Sequence, residues 1–252
     1  MLYSIVLEIK DTQEYLKKKN YNYALYAWFL QMIEKNSPEL SEKLHESQQT
    51  LFTISPFFKE REENIVKLRI TILKDNIYSA FIDTIIKSKK INIDKKEFEI
   101  TNIIFAQSSK SRYSRIDEIE SLEYNGKSEL EKITVRFISP TFFKKNKTHI
   151  VIPDMGLILK SIVKKYNSII SEEYNIQNIE EIAERIQISY LNIKTKTSNL
   201  KKIDLIGFTG RIVLELKNLS LKERKKVYKL FRFAYYSGVG AKTAFGFGQI
   251  TN

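Results

Sequence analysis

The segment "SLKERKKVYKLFRFAYYSGVGAKTAFGFGQI", residues 220–250, spells out a helix, a turn and a strand in that order. Ser220 followed three residues later by Glu223 is a capping box, in which each side chain satisfies a backbone N–H that the first helical turn leaves unpaired. Leu221, Val227, Leu230, Phe231 and Ala234 mark one apolar helix face. Gly238 stands just past the helix end, where a left-handed residue commonly closes a helix. Gly238, Gly240, Gly246 and Gly248 are half of the eight glycines in the chain, so the turn after the helix is marked for backbone geometry that a Cβ would obstruct. "FGFGQI" reads as the closing strand, with Phe245 and Phe247 two apart and so predicted on one face.

Upstream of that helix, "IQISYLNIKT" and "IDLIGFTGRIVLELK" have the character of strands, "DMGLILKSIVKKYNSIISEEY" has the period of a helix, and "KITVRFISP" is a further strand. The order is β-α-β-β-α-β, the ferredoxin-like arrangement of a sheet with both helices on one face. The first half repeats it. "LYSIVLEI" alternates as a strand, and Leu25, Trp28, Phe29, Met32 and Ile33 recur at helical spacing. A short helix starts at Pro38, which suits the first helical position. "LFTIS" and "IVKLRITIL" are strands, "DNIYSAFIDTIIKS" is a helix with Asp75 as the expected N-cap, and "FEITNIIFA" is the last strand. The polar stretch at residues 107–129 separates the halves. The fold class is therefore α+β, with two tandem ferredoxin-like (RRM-like) domains at residues 1–120 and 121–252; a single α/β domain carrying an insertion is the alternative.

Composition narrows the chemistry. The chain has 252 residues, 42 Lys+Arg against 30 Asp+Glu and a formal charge of +12, which favours an anionic partner such as nucleic acid or an anionic membrane surface. It has no cysteine, which excludes disulfides, thiolate metal sites and a Cys nucleophile. The only histidines are His45 and His149, too few for a multi-histidine metal centre. "MLYSIVLEIK" reaches charge too early for a signal peptide, and no window approaches the apolar length of a membrane span. A cytoplasmic location is the expectation.

The glycine-rich turn G-V-G-A-K-T-A-F-G-F-G (residues 238–248) between the last helix and last strand resembles the C-terminal signature of the RAMP superfamily of CRISPR-associated proteins. "LHESQQTLFTISPFF" (44–58), "VRFISPTFF" (135–143) and "IGFTGRIVLEL" (206–216) extend the resemblance over nearly the whole chain, toward the branch that cleaves CRISPR repeat RNA. The resemblance implies two ferredoxin-like domains side by side, RNA in the groove between them, and a glycine-rich loop on the RNA backbone. Gly238, Gly240, Gly246 and Gly248 are then expected to let main-chain N–H groups approach phosphates, with Lys242 adding a point charge. It implies no cofactor and no metal, CRISPR repeat RNA as partner, and cleavage that leaves a 2′,3′-cyclic phosphate and a 5′-hydroxyl. Association with effector-complex proteins and a homodimer are both compatible with it.

In the resembling branch a histidine in the "LHE" position does the proton-transfer work, which carries over to His45. If residues 38–47 are helical, His45 lies about 120° from the Leu40/Leu44 stripe, on an accessible flank. The tyrosine and lysine that accompany this histidine in the branch are not matched: the corresponding first-helix positions are Leu30 or Gln31, and the lysine's place is Thr50. Lys43 is about 160° from His45 around the helix and a poor substitute. Lys35, Lys59, Arg211 and Lys242 are the remaining candidates for stabilising the phosphorane.

Lys110, Arg112 and Arg115 with Tyr113 form a basic, aromatic loop suited to single-stranded or hairpin RNA. Lys144 and Lys145 lie in a second loop, and Arg211 follows a glycine in a strand. The cluster Lys222–Lys229 reads as a solvated helix face. A non-catalytic RAMP subunit that binds guide RNA is the alternative function, kept open by the unmatched tyrosine and lysine. A two-histidine phosphodiesterase is disfavoured because His149 lacks the H-x-[ST] pattern, and a P-loop nucleotidase because the glycines precede a strand rather than a helix.

Overall fold

The computed structural model describes residues 1–47, 49–60, 64–105, 111–126, 130–170 and 174–252; Lys110 lies outside them. The chain forms two compact units. The first comprises Met1–Asp117 with Asn199–Ile203 and Ala244–Gly246, and the second comprises Glu118–Ser198, Asp204–Thr243 and Phe247–Asn252. Among the described residues no helix is long and apolar enough to cross a membrane.

The first unit runs β1 (Leu2–Lys10), α1 (Asn22–Glu34), α2 (Pro38–Glu46), β2 (Phe52–Ile54), β3 (Ile65–Ile72), α3 (Asp75–Ser88), β4 (Lys90–Ile93), β5 (Lys96–Ile104) and β6 (Arg115–Asp117). The sheet order is β2-β3-β1-β5-β4, with β6 also paired to β1 and every pairing antiparallel. Alternation along the strands sorts the side chains. Ile5, Leu7 and Ile9 of β1 and Val66, Leu68, Ile70 and Ile72 of β3 join Trp28 and Phe29 of α1 and Ile77, Phe81 and Ile85 of α3 in one core. Phe29 is its centre, with its ring 4.3 Å from Phe52 and 4.9 Å from Phe81.

The opposite face of this sheet is polar and buried. Arg69 is fully buried and its Nε donates to Ser4 Oγ at 3.0 Å; Ser4 Oγ donates in turn to the Tyr113 carbonyl at 2.6 Å. Lys67 is ion-paired with Glu8 at 3.0 Å and Glu60 at 2.7 Å. Charged groups taken out of water need such partners. This corrects the reading of residues 111–115 as an RNA-contacting loop. Tyr113 is buried with its ring edge-on to Phe58 at 5.2 Å, the Arg112 guanidinium donates to the Tyr113 hydroxyl at 2.8 Å, and Arg115 is in β6, paired with Ser4. Asp75 is also not the N-cap of α3, a place taken by Lys74; its carboxylate accepts from Tyr3 Oη at 3.0 Å and pairs with the N-terminal amine at 3.2 Å.

The second unit contains β7 (Lys132–Thr141), β8 (Phe143–Lys145), β9 (Thr148–Ile150), α4 (Met155–Asn167), α5 (Ile176–Glu184), β10 (Gln187–Leu200), β11 (Ile203–Glu215), α6 (Leu221–Ser237) and β12 (Ile250–Thr251). Its sheet order, β10-β11-β7-β12, corresponds to the β2-β3-β1-β5 part of the first unit's sheet, so the fold consists of two ferredoxin-like units. The helix expected over residues 154–174 ends at Asn167, and a further helix that was not expected, α5, follows. The Asn167 side chain bonds both backbone groups of Tyr174, at 2.8 and 3.0 Å, which turns the chain, and Asn175 then caps α5 through Gln177 N and Asn178 N. Lys144 and Lys145 are in a β8–β9 hairpin rather than an irregular loop.

The capping box of α6 is present: Ser220 Oγ accepts from Glu223 N, and Glu223 accepts from Ser220 N at 2.8 Å. The Arg185 guanidinium beside Glu223, together with Ser220, holds its carboxyl down at about 2. Leu221 is exposed, unlike the rest of the expected apolar face, because it sits at the first helical position, while Phe233, Tyr235 and Tyr236 are buried as well.

Phe29→Ala is expected to lower the unfolding free energy by about 3–5 kcal/mol, through lost transfer energy and the cavity left between two helices and the sheet. Urea denaturation checks this value.

Candidate active site

α1 and α2 pack together at an acute connection, pinned where Ser41 Oγ donates to the Leu30 carbonyl at 3.1 Å and where Leu44 enters the core. With Ser41 and Leu44 turned inward, His45 falls on the exposed flank, as helical periodicity predicts. It borders a cleft of about 580 Å³ lined also by Tyr23, Tyr26, Leu30, Glu34, Glu39 and Glu42. The Tyr26 ring is 6.4 Å from the His45 ring, centroid to centroid. Tyr26 is partly buried, which pushes its phenol above the ordinary value, with the neighbouring Tyr23 adding to the effect. Its hydroxyl is a hydrogen-bond donor and acceptor on the same side of the cleft as the imidazole.

Tyr26 is the group that matching by position in the sequence missed. Leu30 and Gln31 also line the cleft, but the tyrosine stands one helical turn before Leu30, on the same face of α1. The pattern Y-x-x-x-L could have revealed it. Phe245 forms the adjoining wall: its ring stacks on Tyr26 at 4.2 Å and lies parallel to Tyr23 at 6.4 Å.

Phe245 and Phe247 are not on one strand face, in contrast to the expectation. Thr243–Phe245 is a turn of 3-10 helix, and Phe247 is buried in the second unit against Phe142 at 5.4 Å. The closing strand is reduced to β12, although Ile138 N donating to Gln249 O at 2.9 Å and Gly248 N to Pro140 O at 2.9 Å extend the ladder. Gly246 (φ 84°) approaches Asn22 so closely that a Cβ would come 2.7 Å from its Oδ1, and at Gly248 (φ 66°) a Cβ would fall 1.9 Å from the Val239 carbonyl.

The loop's amides are also committed within the protein. Gly238 N donates to Ala234 O, Val239 N to Gly248 O, Gly240 N to Ser161 Oγ and Ala241 N to Phe142 O. The expected row of N–H groups aimed at a phosphate is therefore corrected for Gly238, Gly240 and Gly248: these residues allow tight backbone packing instead. Lys242 is exposed at φ 59°. Lys165 fastens the loop from beneath, its Nζ donating to Ser237 O at 3.0 Å, Gly238 O at 3.1 Å and Thr243 Oγ1 at 3.2 Å. Enclosure of the ammonium, costly in low dielectric, pushes its pKa down to about 7.

Arg211 is exposed on β11, its guanidinium 4.6 Å from the Tyr190 ring centroid and in register with Arg136 of β7. Hydrogen bonds from Asn192 and Arg211 lower the Tyr190 pKa. Arginines directly opposite repel each other unless an anion or a ring lies across them. Arg136 and Tyr190 were not singled out by sequence, although the alternation of "KITVRFIS" puts Lys132, Thr134 and Arg136 on the polar face. Lys144 and Lys145 are exposed on β8, and His149 faces them from β9.

The profile of the family described as CRISPR-associated endoribonuclease Cas6 matches residues 135–250. A CRISPR-associated endoribonuclease Cas6 of Streptococcus thermophilus is 21% identical over 223 residues, covering 87% of each chain. Among solved structures, a Cas6 (TTHB231) product complex superposes with a TM-score of 0.85 at 24% identity, covering 100% of this chain and 98% of the other. Thermus thermophilus Cas6 (TTHB231) superposes with a TM-score of 0.77 at 26% identity and the same coverage.

The enclosed Lys165 has a consequence for stability. Its folded pKa is depressed from 10.5 to about 7, so between these values the unfolded chain binds a proton that the folded chain does not, and stability rises with pH across that window. The margin by which wild type exceeds Lys165→Met in thermal denaturation is expected to widen between pH 7 and pH 10.

Proposed function

We infer that the chain belongs to the Cas6 family of CRISPR-associated endoribonucleases and cleaves CRISPR repeat RNA at the cleft beside His45. The observation that carries this reading is the exposed imidazole of His45 with the Tyr26 ring beside it, centroids 6.4 Å apart. Cleavage requires the 2′-hydroxyl to lose its proton as its oxygen bonds to the adjacent phosphorus. The bond from phosphorus to the 5′-oxygen then breaks, and that oxygen takes up a proton. The products are a 2′,3′-cyclic phosphate and a 5′-hydroxyl, with no atom supplied from outside the RNA except protons. His45 is suited to move these protons, because one imidazole nitrogen can accept a proton while the other donates one. Tyr26 supplies the second hydroxyl, as a hydrogen-bond donor that orients the reacting groups. The aromatic wall of Tyr23, Tyr26 and Phe245 beside the cleft suits a splayed base.

The net charge of +12 and the exposed Lys144, Lys145, Arg211 and Lys242 provide the sequence-independent grip on the RNA backbone. The guide-binding, non-catalytic reading is not favoured, because it leaves the pairing of His45 with Tyr26 without a purpose.

Repeat RNA encoded beside the gene, incubated with the protein in EDTA, is expected to be cut. His45→Ala should lose cleavage by about 10²–10⁴-fold while still binding RNA. Tyr26→Phe should slow it about 10-fold, the worth of one hydrogen bond near 1.4 kcal/mol. Undiminished cutting by His45→Ala sinks the assignment.

A further inference from the structure

The cleft beside His45 has a charge problem. Its lining includes Glu34, Glu39 and Glu42, and among the described residues that line it there is no lysine or arginine. Three carboxylates repel the approaching phosphate, and charge builds further on the phosphate as the 2′-oxygen attacks. A cation must therefore reach this cleft from elsewhere in the fold. Lys59, a candidate on sequence, is paired with Glu14 at 2.7 Å, and Arg211 is stacked on Tyr190 in the second unit. Lys35 caps the end of α1, and Lys242 belongs to the second unit.

The segment Asn199–Ile203, the turn joining β10 to β11, belongs to the first unit. There Lys201 places its Nζ 4.1 Å from the centroid of the Tyr23 ring. Tyr23 lines the His45 cleft and is parallel to Phe245, which stacks on Tyr26. Among the described residues no carboxylate pairs with Lys201, so its charge is not neutralised. Its backbone is left-handed, φ 60°, a turn position that glycine, asparagine or aspartate fills with less strain.

We propose that Lys201, carried on the β10–β11 turn to the aromatic wall of the His45 cleft, supplies the positive charge at the scissile phosphate. The proposal rests on the repeat-RNA cleavage assigned above. Lys201 exchanges no proton in it. Its ammonium faces a non-bridging phosphate oxygen, and the ring of Tyr23 guides the stem without removing the charge.

Single-turnover cleavage of repeat RNA at saturating protein separates catalysis from binding. Lys201→Gly is the informative variant, since glycine is at home at this backbone angle and keeps the turn intact. Its cleavage rate at saturation is expected to fall about 10- to 100-fold, with affinity for the RNA changed by no more than about threefold. Lys201→Arg should recover most of the rate, because charge is what is needed. A phosphorothioate at the scissile position should slow wild type in one stereoisomer more than the other, and Lys201→Gly should narrow that difference, which a merely structural role would not do. A wild-type rate in Lys201→Gly at saturation, or a loss confined to affinity, overturns the proposal. If wild type does not cut, or His45→Ala cuts normally, the cleavage assignment fails instead; cutting that depends on His45 but not on Lys201 rejects this inference alone.

Discussion

The stacking of Phe245 on Tyr26, ring centroids 4.2 Å apart, is the contact around which the candidate site is organised. Tyr26 comes from the first helix and Phe245 from the last turn of the chain, more than two hundred residues away. Next to it Gly246, at φ 84°, adopts a backbone conformation that favours glycine and lies close to the Asn22 side chain at the start of α1. The stacked pair then walls one side of the cleft and keeps the phenol partly out of water. That burial raises its pKa.

The same economy appears in the glycine-rich loop. A loop offering free amides to phosphate would have to hold those amides apart from internal acceptors, and here most of the N–H groups are already used. The glycines shape the turn between α6 and β12 and let β12 join β7 over only two residues. Lys165 ties the last carbonyls of α6 to Thr243, so a helix end that would otherwise leave its acceptors unpaired is satisfied by a side chain from α4.

Charge is distributed unevenly, and that unevenness is chemically informative. The chain is strongly basic, yet the His45 cleft is lined by carboxylates. In the proposed function, general attraction for RNA then falls to surfaces outside this cleft, where salt can screen it. The cleft itself depends on a small number of placed groups.

Much of the fold was legible in local sequence. The double β-α-β-β-α-β order follows from period and alternation, which are properties of neighbouring residues. The α6 capping box is contained in four residues, and the exposure of His45 follows from its angle relative to Leu44 on one short helix. What local pattern could not decide is which distant groups meet. Tyr113 is covered rather than exposed because it closes a polar sheet face around Arg69. The split of α4 from α5 depends on Asn167 bonding the backbone of Tyr174. Tyr26, Phe245 and Lys201 come from three separated segments, and no spacing in the chain links them. Sequence alone determined the elements and their order because helical and strand periods are set by nearest neighbours. Tertiary structure alone decided the composition of the site, because bringing those three side chains together is a long-range packing event that only the completed core enforces.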